Sequence, residues 1–411
     1  MTKTSIVRLI QIGDIHYPPK DMDKPDVDDK DKTLPVELVS KVGGNKITKV
    51  ISRIHKAAAE RASVLIFMGD LSNKGKLADY EACANYIKRT IISPIEVAGN
   101  LVSSHLVPGN HDVDRDLPGG QKFKKLEEIC RAVGLPPLPT DSLIKQSIPS
   151  SSPELARLYL CNSCVGCGET RRLPDAISKK LAAASIPGID ILELTESLDA
   201  PTIEQDVLDC VVDDIKSLSK FCIPVVVAHH NILPQVQPRL MVYGEMLNAG
   251  RVRDGLISSK RAIIYLHGHL HHDPIEIIRD PMRDQSMILT VSAPELYKGF
   301  NIVDIHYDAH GQPLKAAITK IRIDHTGSET NELASILLID RPTIVQQLTA
   351  DDQFVLGQIP YEGTFIKPLM KKVKRFSEAQ LCTIVKALND LGLIRLDNRD
   401  LVPDSWRIFK I

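Results

Sequence analysis

Five short clusters of carboxylate, amide and imidazole residues carry the chemistry legible in this 411-residue sequence. They are Gly13-Asp14-Ile15-His16, Gly69-Asp70-Leu71-Ser72, Gly109-Asn110-His111-Asp112, His229-His230-Asn231 and His267-Gly268-His269-Leu270-His271. Asp14, His16, Asp70, Asn110, a histidine at 229 or 230, His269 and His271 are oxygen and nitrogen donors suited to a borderline divalent ion such as Mn²⁺, Fe²⁺ or Zn²⁺. The Asp-x-His and His-x-His spacings let alternate residues reach a common centre where the chain is extended or turning. Seven ligands exceed what one tetrahedral ion requires, so two ions are expected, with a carboxylate such as Asp70 bridging them. Ions ~3.5–4 Å apart can hold a phosphate between them and lower the pKa of a shared water.

Each cluster follows a short apolar run of buried-strand type: residues 6–12, 63–68, 101–107, 223–228 and 261–266. Ligands gather beyond the carboxyl ends of strands in α/β proteins, so these side chains can converge on one sheet edge. Helical spacing over 46–62 and 79–92, alternating with the strands, implies a mostly parallel sheet with helices on its faces. Late strands are expected at 286–291, 300–307 and 314–323. The alternately charged stretch 21–32 suits a surface insertion. Residues 115–205 break the rhythm with proline-rich runs around Pro136-Pro137 and 149–153, and read as a long, lid-like insertion. Polar composition over 324–331 suggests a linker, dividing the chain into a first domain, 1–325, and a C-terminal accessory domain, 326–411. In the latter, residues 376–393 form a helix capped by Ser377, and 393–396 with 400–402 suit a hairpin. Helix then hairpin loosely resembles a winged helix.

The formal net charge of -1 and pI near 6.9 argue against a polyanion covering the whole surface, but leave room for a local basic patch. Lys371, Lys372, Lys374 and Arg375 form such a run, suited to nucleic acid or to docking a partner protein. The apolar run at 6–10 is too short for a signal peptide, and no window approaches the ~20 apolar residues of a membrane span. Eight scattered cysteines without a disulfide-framework spacing complete the expectation of a reduced, cytoplasmic protein with no membrane partner. Cys161, Cys164 and Cys167 are spaced for zinc or an iron–sulfur cluster, but a fourth ligand is not evident nearby. His55, His105, His306, His310 and His325 read as packed or solvated histidines.

In type and order the five clusters resemble the calcineurin-like metallophosphoesterase superfamily. Its pattern of Asp-x-His, Gly-Asp, Gly-Asn-His-Asp/Glu, a lone His and Gly-His-x-His is complete here over roughly residues 6–325, minus the insertion. The resemblance implies a four-layer α/β/β/α sandwich. It implies that Asp14, His16 and His271 bind one metal and Asn110, His229 and His269 the other, with Asp70 between. His229 is preferred over His230 because the family's lone histidine directly follows a strand. His111 would be general acid or transition-state stabiliser, with Asp112 orienting its ring. Manganese is the first choice of ion, with iron and zinc as alternatives. Protein Ser/Thr phosphatases of the superfamily carry Arg in the Gly-Asp motif and Glu after Gly-Asn-His, where this chain has Lys74 and Asp112. The motifs look more like the bacterial cyclic-nucleotide phosphodiesterase and nuclease branches. The expectation is therefore a phosphodiesterase or nuclease acting on nucleotides or nucleic acid. The competing expectations are a phosphomonoesterase and a catalytically silent binding or scaffold subunit.

Overall fold

The computed structural model describes residues 5–17, 46–72, 77–114, 117, 119–140, 143–149, 153–167, 200–234, 246–270, 274–280, 286–308, 311–324, 327–338, 348–391, 393–398 and 402–410. They fall into two compact units, one of 7–304 with 318–333, the other of 1–6, 305–317 and 334–411.

The larger unit is built on two mixed sheets. Strands β1 (Ser5–Ile12), β2 (Ser63–Phe67) and β3 (Leu101–Leu106) run parallel. Strands β4 (Ile144–Ile148), β5 (Ala156–Leu160), β6 (Ile223–Val227), β7 (Ala262–His267), β8 (Ile275–Arg279) and β9 (Met287–Ser292) form the second sheet, ordered β4-β5-β6-β7-β9-β8. Its central strands are parallel, and β4 and β8 pair antiparallel at the edges. With β10 (Gly299–Tyr307), β11 (Pro313–Ile323) and β12 (Glu329–Leu337), the first sheet is ordered β12-β11-β10-β1-β2-β3.

The apolar runs of the sequence are explained by burial on both faces of each strand. Ile10 and Ile12 of β1 and Leu65 and Phe67 of β2 pack with Ile47, Val50, Ile51, Ile54, Ala57 and Ala58 of helix α1 (Lys46–Glu60). Helices α2 (Leu77–Tyr86), α3 (Ser93–Val97) and α4 (Lys124–Val133) add Tyr80, Ile95, Leu126 and Ile129 to that core. On the second sheet, Tyr159, Val226, Ile263, Tyr265 and Ile288 meet Leu208, Val211 and Ile215 of α5 (Gln205–Ser217) and Val252 and Leu256 of α6 (Ala249–Ser258). The alternate residues Leu9, Val64, Ile66, Val225, Ile264, Leu266 and Val291 are equally buried, so they occupy the opposite, inner faces. Gln11 shares that inner face. Its side-chain amide donates to the carbonyls of His267 (3.0 Å) and Val291 (2.9 Å) in the other sheet, and its Oε1 accepts from Asn301 at 2.9 Å. The result is the expected four-layer sandwich, two sheets inside and helices outside.

Several expectations need correction. The sheets are mixed rather than mostly parallel. The stretch 115–205 supplies α4, β4 and β5, and β5 pairs parallel with β6 inside the second sheet. Prolines outside the strands, such as Pro149 and Pro153, mask the short strands β4 and β5. Residues 168–199, and the charged stretch 21–32, lie outside the described residues. Part of the expected linker is strand β12, which is exposed along most of its length. As the edge strand of its sheet it needs no apolar face. Helix 79–92 begins earlier, at Leu77, and its last turn, Ile87–Ile92, widens to π-helical geometry before α3.

The smaller unit contains α7 (Ala350–Gln358), β13 (Thr364–Phe365), α8 (Ile366–Lys372), α9 (Glu378–Asp390), β14 (Ile394–Asp397) and β15 (Arg407–Lys410), with the sheet ordered β13-β15-β14. This is a small α+β unit. Ser377 caps α9 as expected, in a reciprocal pair with Gln380. Strand β14 pairs antiparallel with β15, and of the expected second strand 400–402 only Val402 is among the described residues. Val402 is exposed, and the chain turns through Pro403–Ser405 before Trp406 and Ile408 enter the core with Val355, Leu369, Leu381, Val385 and Leu388. Among the described residues no helix is long and apolar enough to cross a membrane.

Replacing Gln11 with Leu should lower chemical-denaturation stability by on the order of 2–5 kcal/mol, because it strands buried carbonyls and the Asn301 amide. An unchanged midpoint would show that these bonds between the sheets carry no weight.

Candidate metal centre

Strand ends deliver the clusters. Asp14 and His16 follow β1, Asp70 follows β2, Asn110 follows β3, His229 follows β6 and His269 follows β7. Two close approaches make this possible. At Gly109 a Cβ would lie 2.2 Å from Asp70 Oδ1, and at Gly268 it would lie 2.6 Å from Asp14 Oδ1. The glycines are there because the loops run directly against the carboxylates. His16 (φ 50°), Asp70 (φ 49°) and His269 (φ 66°) occupy the left-handed region, which costs a non-glycine residue on the order of 1–3 kcal/mol. Three expected ligands are thus held in a backbone conformation that side chains avoid.

Asp70 lies at the middle. Its Oδ2 is 3.3 Å from His229 Nε2 and 3.8 Å from His16 Nε2, and its Oδ1 accepts the His111 backbone N–H at 2.8 Å. Asn110 Oδ1 sits 3.0 Å from His229 Nε2 and 3.1 Å from His269 Nδ1. Asp14 receives the His269 backbone N–H at 3.1 Å and lies 3.9 Å from His229 Nδ1. Asp14, Asp70, Asn110, His229 and His269 are buried, while His16 and His111 are half-buried, their rings edge to face at 4.9 Å. Six of the seven expected ligands therefore come together. The seventh, His271, lies outside the described residues, as does Lys74.

The donor set fits divalent cations. The triads His16–Asp70–His111 and Asp14–Asp70–His229 each bring ligand atoms within 4.8 Å of one another, and carboxylate, amide oxygen and imidazole are the donors such ions take. Asp70 is common to both groups. Electrostatics point the same way. Burial raises the Asp70 carboxyl, but His229, His111 and His16 more than offset this and hold it well below the ordinary range. Burial pulls the His229 imidazolium down, and the Asp70 and Asp14 carboxylates outweigh it, lifting its pKa to about 9. In metal-free protein a proton holds the place of positive charge.

Two contributions had no sequence signal. The Met68 carbonyl lies 2.7 Å from His229 Nδ1, which leaves Nε2 to face Asp70 and Asn110. Asp112 also makes backbone contacts that the sequence did not signal. Its Oδ1 accepts Ser72 N–H (3.0 Å) and its Oδ2 accepts Gly109 N–H (2.9 Å), so it clasps the loops after β2 and β3. Tyr80 Oη donates to the Asp112 carbonyl from below. Burial and the Asp70 charge raise the Asp112 carboxyl to about 6. Of the histidines read as ordinary, His55 meets the Thr90 carbonyl at 2.8 Å and His105 is buried beside Ser103.

The calcineurin-like phosphoesterase family profile matches residues 7–273. No curated protein gives a significant match. Solved structures that match this chain include a Staphylococcus aureus protein described as a putative 5′-nucleotidase (14% identity, TM-score 0.38, covering 85% of this chain and 57% of that one). Another is a 5′-nucleotidase precursor from Thermus thermophilus (13%, TM-score 0.37, 86% and 60%). A third is the Haemophilus influenzae NAD nucleotidase (12%, TM-score 0.36, 94% and 60%). The chain thus spans 57–60% of the length of these proteins.

Asp112→Asn should cost roughly 1–3 kcal/mol, since either amide rotamer sets an NH₂ against a backbone N–H. Denaturation curves check this, and wild-type stability would remove the clasp. Metal affinity should rise with pH until His229 has lost its proton near 9, by about tenfold per unit below that. Calorimetry in buffers of different ionisation enthalpy should detect proton release. Equal affinity at pH 6.5 and 8.5 would contradict the pairing.

Proposed function

The chain belongs to the calcineurin-like phosphoesterase family, and we propose that within it the protein is a metal-dependent hydrolase of phosphodiesters in nucleotides or nucleic acid. The observation that carries the reading is the placement of Asp70, with one carboxylate oxygen facing both His16 and His229. Asp14, His16, Asp70 and His271 would hold one ion, and Asp70, Asn110, His229 and His269 the other, with manganese as the first choice. When bound, such ions supply charge neutralisation for a phosphoryl group and a water of lowered pKa.

The remaining work belongs to side chains. His111 is half-buried, its backbone fixed by Asp70 and its ring edge-on to His16. From there it donates a proton to the leaving oxygen. Preference for a diester over a phosphoprotein is supported by Asp112 at the place where the protein phosphatases carry Glu. The smaller unit, with Lys371, Lys372 and Lys374, would present nucleic acid or dock a partner protein, and the protein would act in the cytoplasm.

Asp70→Asn should reduce turnover of an aryl phosphodiester with Mn²⁺ by roughly 100-fold or more and weaken both ions. His111→Ala should lower kcat by about 10²–10⁴ with metal content unchanged. A panel of cyclic nucleotides, single- and double-stranded DNA, RNA and phosphomonoesters tests the substrate class. Activity on monoesters alone overturns the diesterase reading. No hydrolysis above a chelator control, despite bound metal, would make the protein a binding module.

A further inference from the structure

Beside this centre lies a second cluster with different chemistry. The Cys164 and Cys167 thiols and the His230 imidazole are all fully buried, and each offers a ligand atom within 4.8 Å of the other two. We propose that Cys164, Cys167 and His230 bind a zinc-class ion beside the phosphoesterase centre, whose His229 and His269 rings lie 4.9 and 4.5 Å from that of His230.

The local fold prepares the pair. Cys167 N–H donates to the Cys164 carbonyl at 3.0 Å, closing a Cys-x-x-Cys turn, and Cys164 N–H donates to Asn162 Oδ1 at 2.8 Å. His230 Nδ1 lies 3.9 Å from Cys164 Sγ. Around a tetrahedral zinc, with bonds of about 2.3 Å to sulfur and 2.0–2.1 Å to nitrogen, the S···N edge is roughly 3.6 Å. The apo geometry thus needs little movement to close on an ion. His230 Nδ1 also meets Ser163 Oγ at 2.9 Å, and the Nε2 of this buried ring has no hydrogen-bond partner among the described residues. Lys122 is buried nearby and donates to the Cys167 carbonyl at 2.9 Å, a positive charge that favours thiolates.

The ligand set differs from the one that spacing alone suggests. Cys161 packs into the core between the second sheet and its helices, its Sγ 3.8 Å from the Tyr159 carbonyl. Cys164 and Cys167 pack instead against Val113 and Phe123. The third ligand is therefore His230, 63 residues beyond Cys167 and beside His229. Cys164 Sγ also donates to the Pro108 carbonyl at 3.3 Å. An ion here would pin the loop after β5 to those carrying Asn110 and His229.

The test is cobalt substitution of the full chain. Metal-stripped protein reconstituted with Co²⁺ should show an intense near-ultraviolet sulfur-to-cobalt charge-transfer band, which a centre of nitrogen and oxygen ligands cannot give. The band should persist in Asp70→Asn and Cys161→Ser, and disappear in Cys164→Ser/Cys167→Ser. Three results would overturn the proposal. The wild-type cobalt protein could lack the band, the band could survive the double substitution, or thiol counting could find Cys164 and Cys167 joined in a disulfide under reducing conditions. The first and third need no variant, so a double variant that fails to fold does not protect the idea.

Discussion

A carboxylate taken wholly out of water is costly unless positive charge and donors meet it, and Asp70 is such a group, with 1% of its surface exposed. Its surroundings answer that constraint. One oxygen faces two imidazoles and the other takes a backbone N–H. The backbone bends into the left-handed region to deliver it, and Gly109 lacks a side chain so that it can arrive. Local strain, glycine placement and the position of the histidines thus share one cause.

The sandwich divides the labour. The first sheet contributes oxygen through Asp14, Asp70 and Asn110, and the second contributes imidazole through His229 and His269, with His16 as the exception on the first. The centre lies on the seam between the sheets, so its geometry depends on their registration. Gln11 and Asn301 cross-link the inner faces within the seam. The His269 backbone amide on Asp14 makes a further tie where the ligands sit. Polar bonds in a dry layer are directional, and apolar packing alone would allow the sheets to slide.

Much of this was legible in the sequence because the ligand clusters follow runs that are apolar on both faces, and few other arrangements explain such runs. Helix α1 was visible through the spacing of Val50, Ile54, Ala57 and Ala58. Where the text failed, the physical cause is local. Strands β4 and β5 are short and flanked by prolines. Strand β12 is an edge and looks polar. Strand β15 follows an irregular turn that ends at Trp406. The clasp made by Asp112 went unread because its partners are backbone amides of Ser72 and Gly109, which carry no side-chain signature. His230 was set aside as the spare member of a doublet, since nothing linear connects it with Cys164 and Cys167.

The strand order has a kinetic consequence. Strand β1, near the start of the chain, lies between β2 and β10, which ends at Tyr307, and Asp14 contacts a residue 255 positions away. Contacts so distant are made late, after a large loss of chain entropy. During synthesis, Asp14, Asp70 and Asn110 leave the ribosome well before His229 and His269 exist. The nascent chain then holds bare acidic groups beside unpaired apolar strands, the condition in which folding intermediates aggregate. Assembly of the centre therefore waits until the chain has passed His269, and a fragment ending before His229 cannot reproduce it.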